Sequence, residues 1–430
     1  MNTTYSKAKY YLTLFALGVA GGAIFIIPYI KFVFYDLQLQ VTGMTNAQSA
    51  LLMTVFAVAS LVVNVPGGLI CDKINSKKGL LFALLTTTAL TILYAYVNTS
   101  FVMAFVIWAL LAFITMGIYW PIFSKVNNII GNKTGTAGRS GSTFGLYYAF
   151  NGIAAALLQA LALWVSTRFS DPVVAFRAAI WVAAGSTLLA TVLVFFFFDQ
   201  ELASPTAEQL AEAAAKKNES HLSLKDVSAV LKNSSIWLTM AICMIAYCMY
   251  TMMSYFTPFL TAVGGASPES SGIFAIIRTY VFLILALVAG LIADKLFKGT
   301  TKWITVVFVV TAAIIGGLFI MPQGMNPTFL GIYTLIPAAL VQMSYPLKYS
   351  VIGEIGCPQH LMATATGLCA FAGALPDLIL GPIIGSLIDS RGNQAYYILF
   401  GILIALLLLG ALCGILIIRK QKNRESTIKA

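Results

Sequence analysis

The chain has 430 residues, of which 59% are hydrophobic and only 10% charged. A soluble domain carries about 25% charged residues, so this composition excludes a water-facing globular protein. A net charge of +11 would point to nucleic acid in a soluble protein; here the charges flank long apolar segments, and no nucleic-acid partner is expected.

Apolar stretches occur at 10–33, 47–70, 79–97, 101–129, 140–165, 174–198, 236–261, 271–293, 303–321, 328–353, 362–388 and 396–418. Most reach the roughly 20 residues a helix needs to cross a ~30 Å hydrocarbon core. The expected fold class is an all-α membrane protein, with twelve transmembrane helices in two pseudo-symmetric six-helix bundles, 1–198 and 236–430. Residues 199–235, rich in Ala, Glu and Lys, read as a cytoplasmic linker and tether. The first apolar segment is too long for the core of a signal peptide and is expected to stay attached.

Of the 26 Lys and Arg, 20 fall on the side of the termini. Four (Lys31, Arg168, Arg177, Arg391) fall on the other side, and Arg278 and Lys348 lie within spans. The positive-inside rule places both termini in the cytoplasm, in a multi-pass protein of the plasma membrane. The six cysteines form no C-x-x-C pair and the two histidines no cluster, so neither disulfides nor a metal site is expected. The pattern G-x-x-x-x-G-K-[ST] is absent, and no cofactor or ATP site is expected.

The halves resemble one another. "GLICDK" (68–73) recurs 222 residues on as "GLIADK" (290–295), "GLYYAFNG" (145–152) recurs 222 residues on as "GLCAFAG" (367–373), and "YWP" (119–121) matches "SYP" (344–346), 225 residues on. The shared order and spacing point to a duplication of a six-span unit, one known build of transporters.

"GGLICDKINSKKGLL" resembles the signature loop between helices two and three of the major facilitator superfamily (MFS). The pattern is met by Gly68, Leu69, Ile70, Asp72, Lys73 and Lys77, with Asp294 and Lys295 in the echo after helix eight. The resemblance covers nearly the whole chain and implies the MFS fold, with Gly68, Asp72, Lys73, Lys77, Asp294 and Lys295 in gating. "GIYWPIFSK" (117–125) is loosely similar to helix four of the organophosphate:phosphate antiporters through Trp120, Pro121 and Lys125, with Lys31 a counterpart of a basic residue late in helix one. That branch has an arginine in helix seven, where 236–262 carry no charge, and a histidine where Phe150 precedes Asn151.

A charge at bilayer depth costs about 2.5–3.5 kcal/mol even on insertion scales, which makes each a candidate for function. Arg278, Lys348 and Asp377 are such charges, all in the C-terminal half. Arg278 either pairs with Asp377 or faces a cavity and counters an anion, for which its two-pronged guanidinium is suited. Lys348 either snorkels to the headgroups or joins Ser344 and Tyr345 on one face of a helix that Pro337 and Pro346 break. The further substrate-contact candidates are Lys125, Lys31, Tyr29, Tyr119, Trp120, Tyr148, Asn151, Tyr255, Gln342 and Tyr345, which offer aromatic faces with polar tips. Asp377 is the leading proton carrier and Glu354 the second, with an interface salt bridge as the plainer role for Glu354.

Together these features imply a non-enzymatic secondary transporter, expected to act as a monomer by alternating access on a small organic anion (a carboxylate or sugar acid), by proton symport or exchange. The alternative is a proton-driven exporter of hydrophobic or cationic compounds.

Overall fold

The computed structural model describes residues 7–71, 73–133, 140–204, 230, 232–322, 324–357 and 361–429, and every regular element among them is helical. The elements are α1 Lys7–Ile24, α2 Lys31–Thr42, α3 Asn46–Cys71, α4 Ser76–Val97, α5 Phe101–Ile114, α6 Trp120–Lys133, α7 Ser140–Ser166 and α8 Pro172–Phe197. After the linker come α9 Ser234–Met252, α10 Phe256–Ala262, α11 Pro268–Thr279, α12 Leu285–Lys295, α13 Thr300–Gly317, α14 Pro327–Ser344, α15 Ser350–Glu354, α16 Met362–Leu375, α17 Gly381–Arg391 and α18 Gln394–Lys429. Ten helical stretches among the described residues are long and apolar enough to cross a membrane, and α11 with α12, bent by 54°, makes an eleventh. Large side chains on their outer faces are bare, Phe196 at 71% and Val102 at 68% exposure. That surface is costly in water and solvated by lipid tails.

Proline explains most of the breaks. A prolyl nitrogen has no hydrogen, so the carbonyl four residues earlier loses its helical partner. Pro28 does this to Ile24, and the expected first span (10–33) stops there; turns over Phe25–Ile30 lead into α2, which ends at the left-handed Gly43 (φ 67°). Pro121 frees Gly117, and the chain widens into a π turn, Thr115–Tyr119, closed by the Trp120 N–H on the Thr115 carbonyl. The Cys71 thiol donates to the freed Gly117 carbonyl (3.5 Å), and α3 can come this near because a Cβ on Gly67 would lie 2.2 Å from the same oxygen. Pro258 accompanies a 3-10 turn at Met253–Tyr255, Pro346 one at Tyr345–Leu347, and Pro376 opens a second π turn, Pro376–Leu380. Pro337 departs from expectation: it lies inside the continuous α14, and the only break in that span is at Pro346.

The chain forms two compact units, Met1–Asn218 with Ala275–Leu283, and Glu219–Phe274 with Ile284–Ala430. In the first, one buried cluster gathers Ile27, Val33, Leu52, Trp108, Phe176 and Ile276, and a second gathers Leu17, Leu84, Tyr119, Phe123, Tyr147 and Val194. The start of the linker is fastened as well. Asp199 pairs with Lys9 (3.0 Å), and the Gln200 side chain accepts the Lys77 N–H (2.9 Å) at the first turn of α4.

Candidate functional site

In the second unit, α9 carries Tyr247 and Tyr250 on one face, three residues apart. Tyr250 stacks on Tyr345, with centroids 4.5 Å apart and planes 9° from parallel, and Tyr247 lies 6.0 Å from the Tyr345 ring. Lys348 follows the 3-10 turn and is only 3% exposed. Its ammonium stands 3.5 Å from the Tyr345 centroid, 4.7 Å from Tyr349 and 5.8 Å from Tyr247. No carboxylate among the described residues lies within ion-pair distance of it. Aromatic faces attract a cation through their quadrupoles but carry no charge to neutralise it.

Asp377 is buried in the π turn Pro376–Leu380, and Tyr247 donates its hydroxyl to the carboxylate at 2.8 Å. One tyrosine therefore faces both of the buried charges described in this unit, with its ring toward Lys348 and its hydroxyl on Asp377. Behind the lysine, the Cys243 thiol donates to the Lys348 carbonyl (3.5 Å), freed by the break in the helix.

The first unit holds a polar network of its own. Tyr119 donates to the Leu17 carbonyl (3.2 Å) and shares a hydrogen bond with Tyr147 (3.4 Å), whose hydroxyl accepts from Asn151 (3.1 Å). The network closes around Gly21. Tyr148 is exposed beside Phe123, Trp120 packs on Phe123, and Tyr29 packs on Phe32 and Phe56. Lys31 is buried at the start of α2. Arg278 is buried in the last turn of α11, where a cation meets the carbonyl end of a helix dipole, and its segment belongs to this unit. Nearby, Gln159 donates to the Tyr280 hydroxyl (3.0 Å).

Several predicted site residues have structural work. Lys125 donates to the Cys71 carbonyl (3.0 Å), capping the C-terminus of α3. Tyr255 donates to the Gly381 carbonyl (3.1 Å) and ties the 3-10 turn to α17. Glu354 accepts from the Thr300 N–H, the Thr301 N–H (2.9 Å) and the Thr301 hydroxyl, capping the N-terminus of α13, and makes no ion pair among the described residues. Gln342 is fully buried on α14. Among the gating residues, Lys73, Asp294 and Lys295 are exposed, Lys77 stands 5.7 Å over the Phe195 ring, Gly68 has open space about it, and Asp72 lies outside the described residues. Tyr247, Tyr250 and Tyr147 were missed, because a tyrosine in an apolar run is ordinary; the three-residue spacing of Tyr247 and Tyr250 was the one available signal.

The inner membrane proteins YihN and YqcE of Escherichia coli (strain K12) are 26% and 24% identical, the first over 96% of both chains, the second over 89% of this chain and 88% of its own. Among solved structures, a bacterial homolog of the human lysosomal transporter Spinster, inward-facing and unoccupied, superposes with a TM-score of 0.69 at 15% identity, covering 97% of this chain and 98% of its own. A mutant of the nucleoside transporter NupG reaches 0.71 at 14% identity, covering 96% and 100%. The profile of the Major Facilitator Superfamily matches residues 10–377, and the chain belongs to that superfamily, as a multi-pass membrane protein and secondary transporter.

Proposed function

We propose that the protein carries a small organic anion, such as a carboxylate or sugar acid, across the cytoplasmic membrane by alternating access, with cytoplasmic termini. One observation carries this reading: Lys348 is a buried ammonium ringed by tyrosines with no carboxylate of the described residues to neutralise it. A buried charge is held at a cost unless a counter-charge arrives, and an anionic solute supplies one. Tyr250 and Tyr345 bound the solute with apolar faces and hydroxyl tips, and Asp377 is the proton-carrying group. The naming of both Escherichia coli relatives as inner membrane proteins supports the location.

The test is thermal stabilisation of purified protein by a panel of organic anions and organic cations, repeated with Lys348→Met. Stabilisation by an anion that weakens roughly tenfold to a hundredfold in Lys348→Met supports the reading. A second reading rests on the same rings, since an aromatic cage beside a carboxylate also suits an organic cation, with Lys348 as its tethered occupant. Stabilisation by cations that strengthens in Lys348→Met would put the exporter first.

A further inference from the structure

Resting on the anion reading above, we infer that Tyr247 couples Asp377 to the Lys348 site, so that a proton on Asp377 and an anion at Lys348 are taken up together. Tyr247 is the shared member of two contacts: its hydroxyl donates to Asp377 (2.8 Å) and its ring lies 5.8 Å from the Lys348 ammonium. An ionised Asp377 holds that hydroxyl, enriches the ring and strengthens its pull on the ammonium, as linked hydrogen bonds polarise one another. The carboxylate thus competes with an incoming anion for the same positive charge. A proton that binds a carboxylate oxygen removes the competitor, and no other covalent bond changes. The anion then finds Lys348 free to receive it.

Titratable groups within electrostatic reach of Asp377 include Tyr247, in hydrogen-bond contact, with Cys248 of α9 and Tyr255 of the following turn. Those facing Lys348 besides its tyrosines are Cys243, with Cys369 beside it from α16. These groups are tyrosines and thiols, so Asp377 is the one carboxylic acid among the described groups of this cluster.

Tyr247 acts through its neighbours and is therefore a positioning residue. Its test needs no solute. The Asp377 carboxyl band, identified by its loss in Asp377→Asn, is titrated by infrared difference spectroscopy in purified ligand-free protein. Lys348→Met stands in for a site neutralised by a bound anion. Its midpoint is expected to rise by about one pH unit, and the same substitution in Tyr247→Phe to raise it by less than half as much. Equal rises in both backgrounds, or none in either, overturn the inference. Should Lys348→Met not fold, Tyr247→Phe alone decides. It keeps the ring but loses a charge-assisted hydrogen bond, so the midpoint must rise by roughly one to two units, and an unchanged midpoint overturns the inference. A coupled titration in a protein that no organic anion stabilises would sink the anion reading and leave the coupling standing.

Discussion

Gly21 shows how a single missing side chain positions a network. A Cβ there would lie 2.1 Å from the Tyr147 hydroxyl and 2.3 Å from the Asn151 amide nitrogen. Gly21→Ala should therefore force those groups apart and lower stability by about 1–3 kcal/mol, the usual cost of overpacking, read as a fall in melting temperature. An unchanged melting temperature would show that Tyr147 and Asn151 have room to move. At this scale the sequence was partly legible. Arg278, Lys348 and Asp377 stood out because a charge in an apolar run is rare and costly. Gly21 and Tyr147 did not, because nothing local distinguishes a glycine that admits a hydroxyl from one that merely packs.

Among the elements, helix ends matter as much as helix faces. Glu354 satisfies two first-turn N–H groups of α13 from a different span, and the Gln421 side chain donates to the Glu354 carbonyl (3.0 Å). Glu354→Ala should lower stability by about 1–2 kcal/mol, the worth of a lost N-cap, with Glu354→Gln nearer wild type because it keeps an acceptor. A transport defect in Glu354→Ala without loss of stability would instead restore the residue as a proton carrier. The sequence showed the acid at the end of its span but not its partner, since that contact depends on which helix begins beside it. The proline break at Pro346 was legible, the one before Pro121 was not seen within the expected span 101–129, and Pro337 was misleading.

For the whole molecule, composition and periodicity carried the fold, because a chain this apolar has few ways to satisfy its backbone in lipid. Orientation is tested by labelling: a cysteine at Ser170 should react with an impermeant reagent from outside the cell, and one at Ser204 only from inside; the reverse would invert the topology. The Lys9–Asp199 pair tests how the end of α8 is held. Burial pulls the Asp199 carboxyl upward, but Lys9 and the N–H groups of Leu202 and Glu201 outweigh it, leaving it below the usual carboxylate range. Its hydrogen bond to Asp199 raises Lys9 above the ordinary lysine value. A depressed acid stabilises the fold above its unfolded value and loses that contribution as pH falls through the folded one. A raised base does so below its unfolded value and loses it as pH rises through the folded one. The pair should therefore act between about pH 4 and about pH 10. Asp199→Asn should lower the melting temperature inside that window, the gap from wild type closing in acid and shrinking in high salt. A gap that persists in acid would assign the effect to the hydrogen bonds of Asp199 alone.

The two π turns have a consequence for how mutations propagate. Each inserts one residue into an otherwise regular spiral, and one residue is about 100° of rotation at 3.6 per turn. Everything beyond Tyr119 and beyond Leu380 is thus out of phase with the pattern that precedes it. Deleting Ile379 would let the turn close as an ordinary α-helix and leave α17 on the faces it now presents, whereas deleting one residue from the regular α16 would turn α17 through about 100°. In that case the Gly381 carbonyl would swing away from Tyr255, and the exposed Ile383 would leave the outer face. Single-residue deletions in the regular helices that flank these turns should then be more damaging than deletions within the turns, which already hold the residue to be lost.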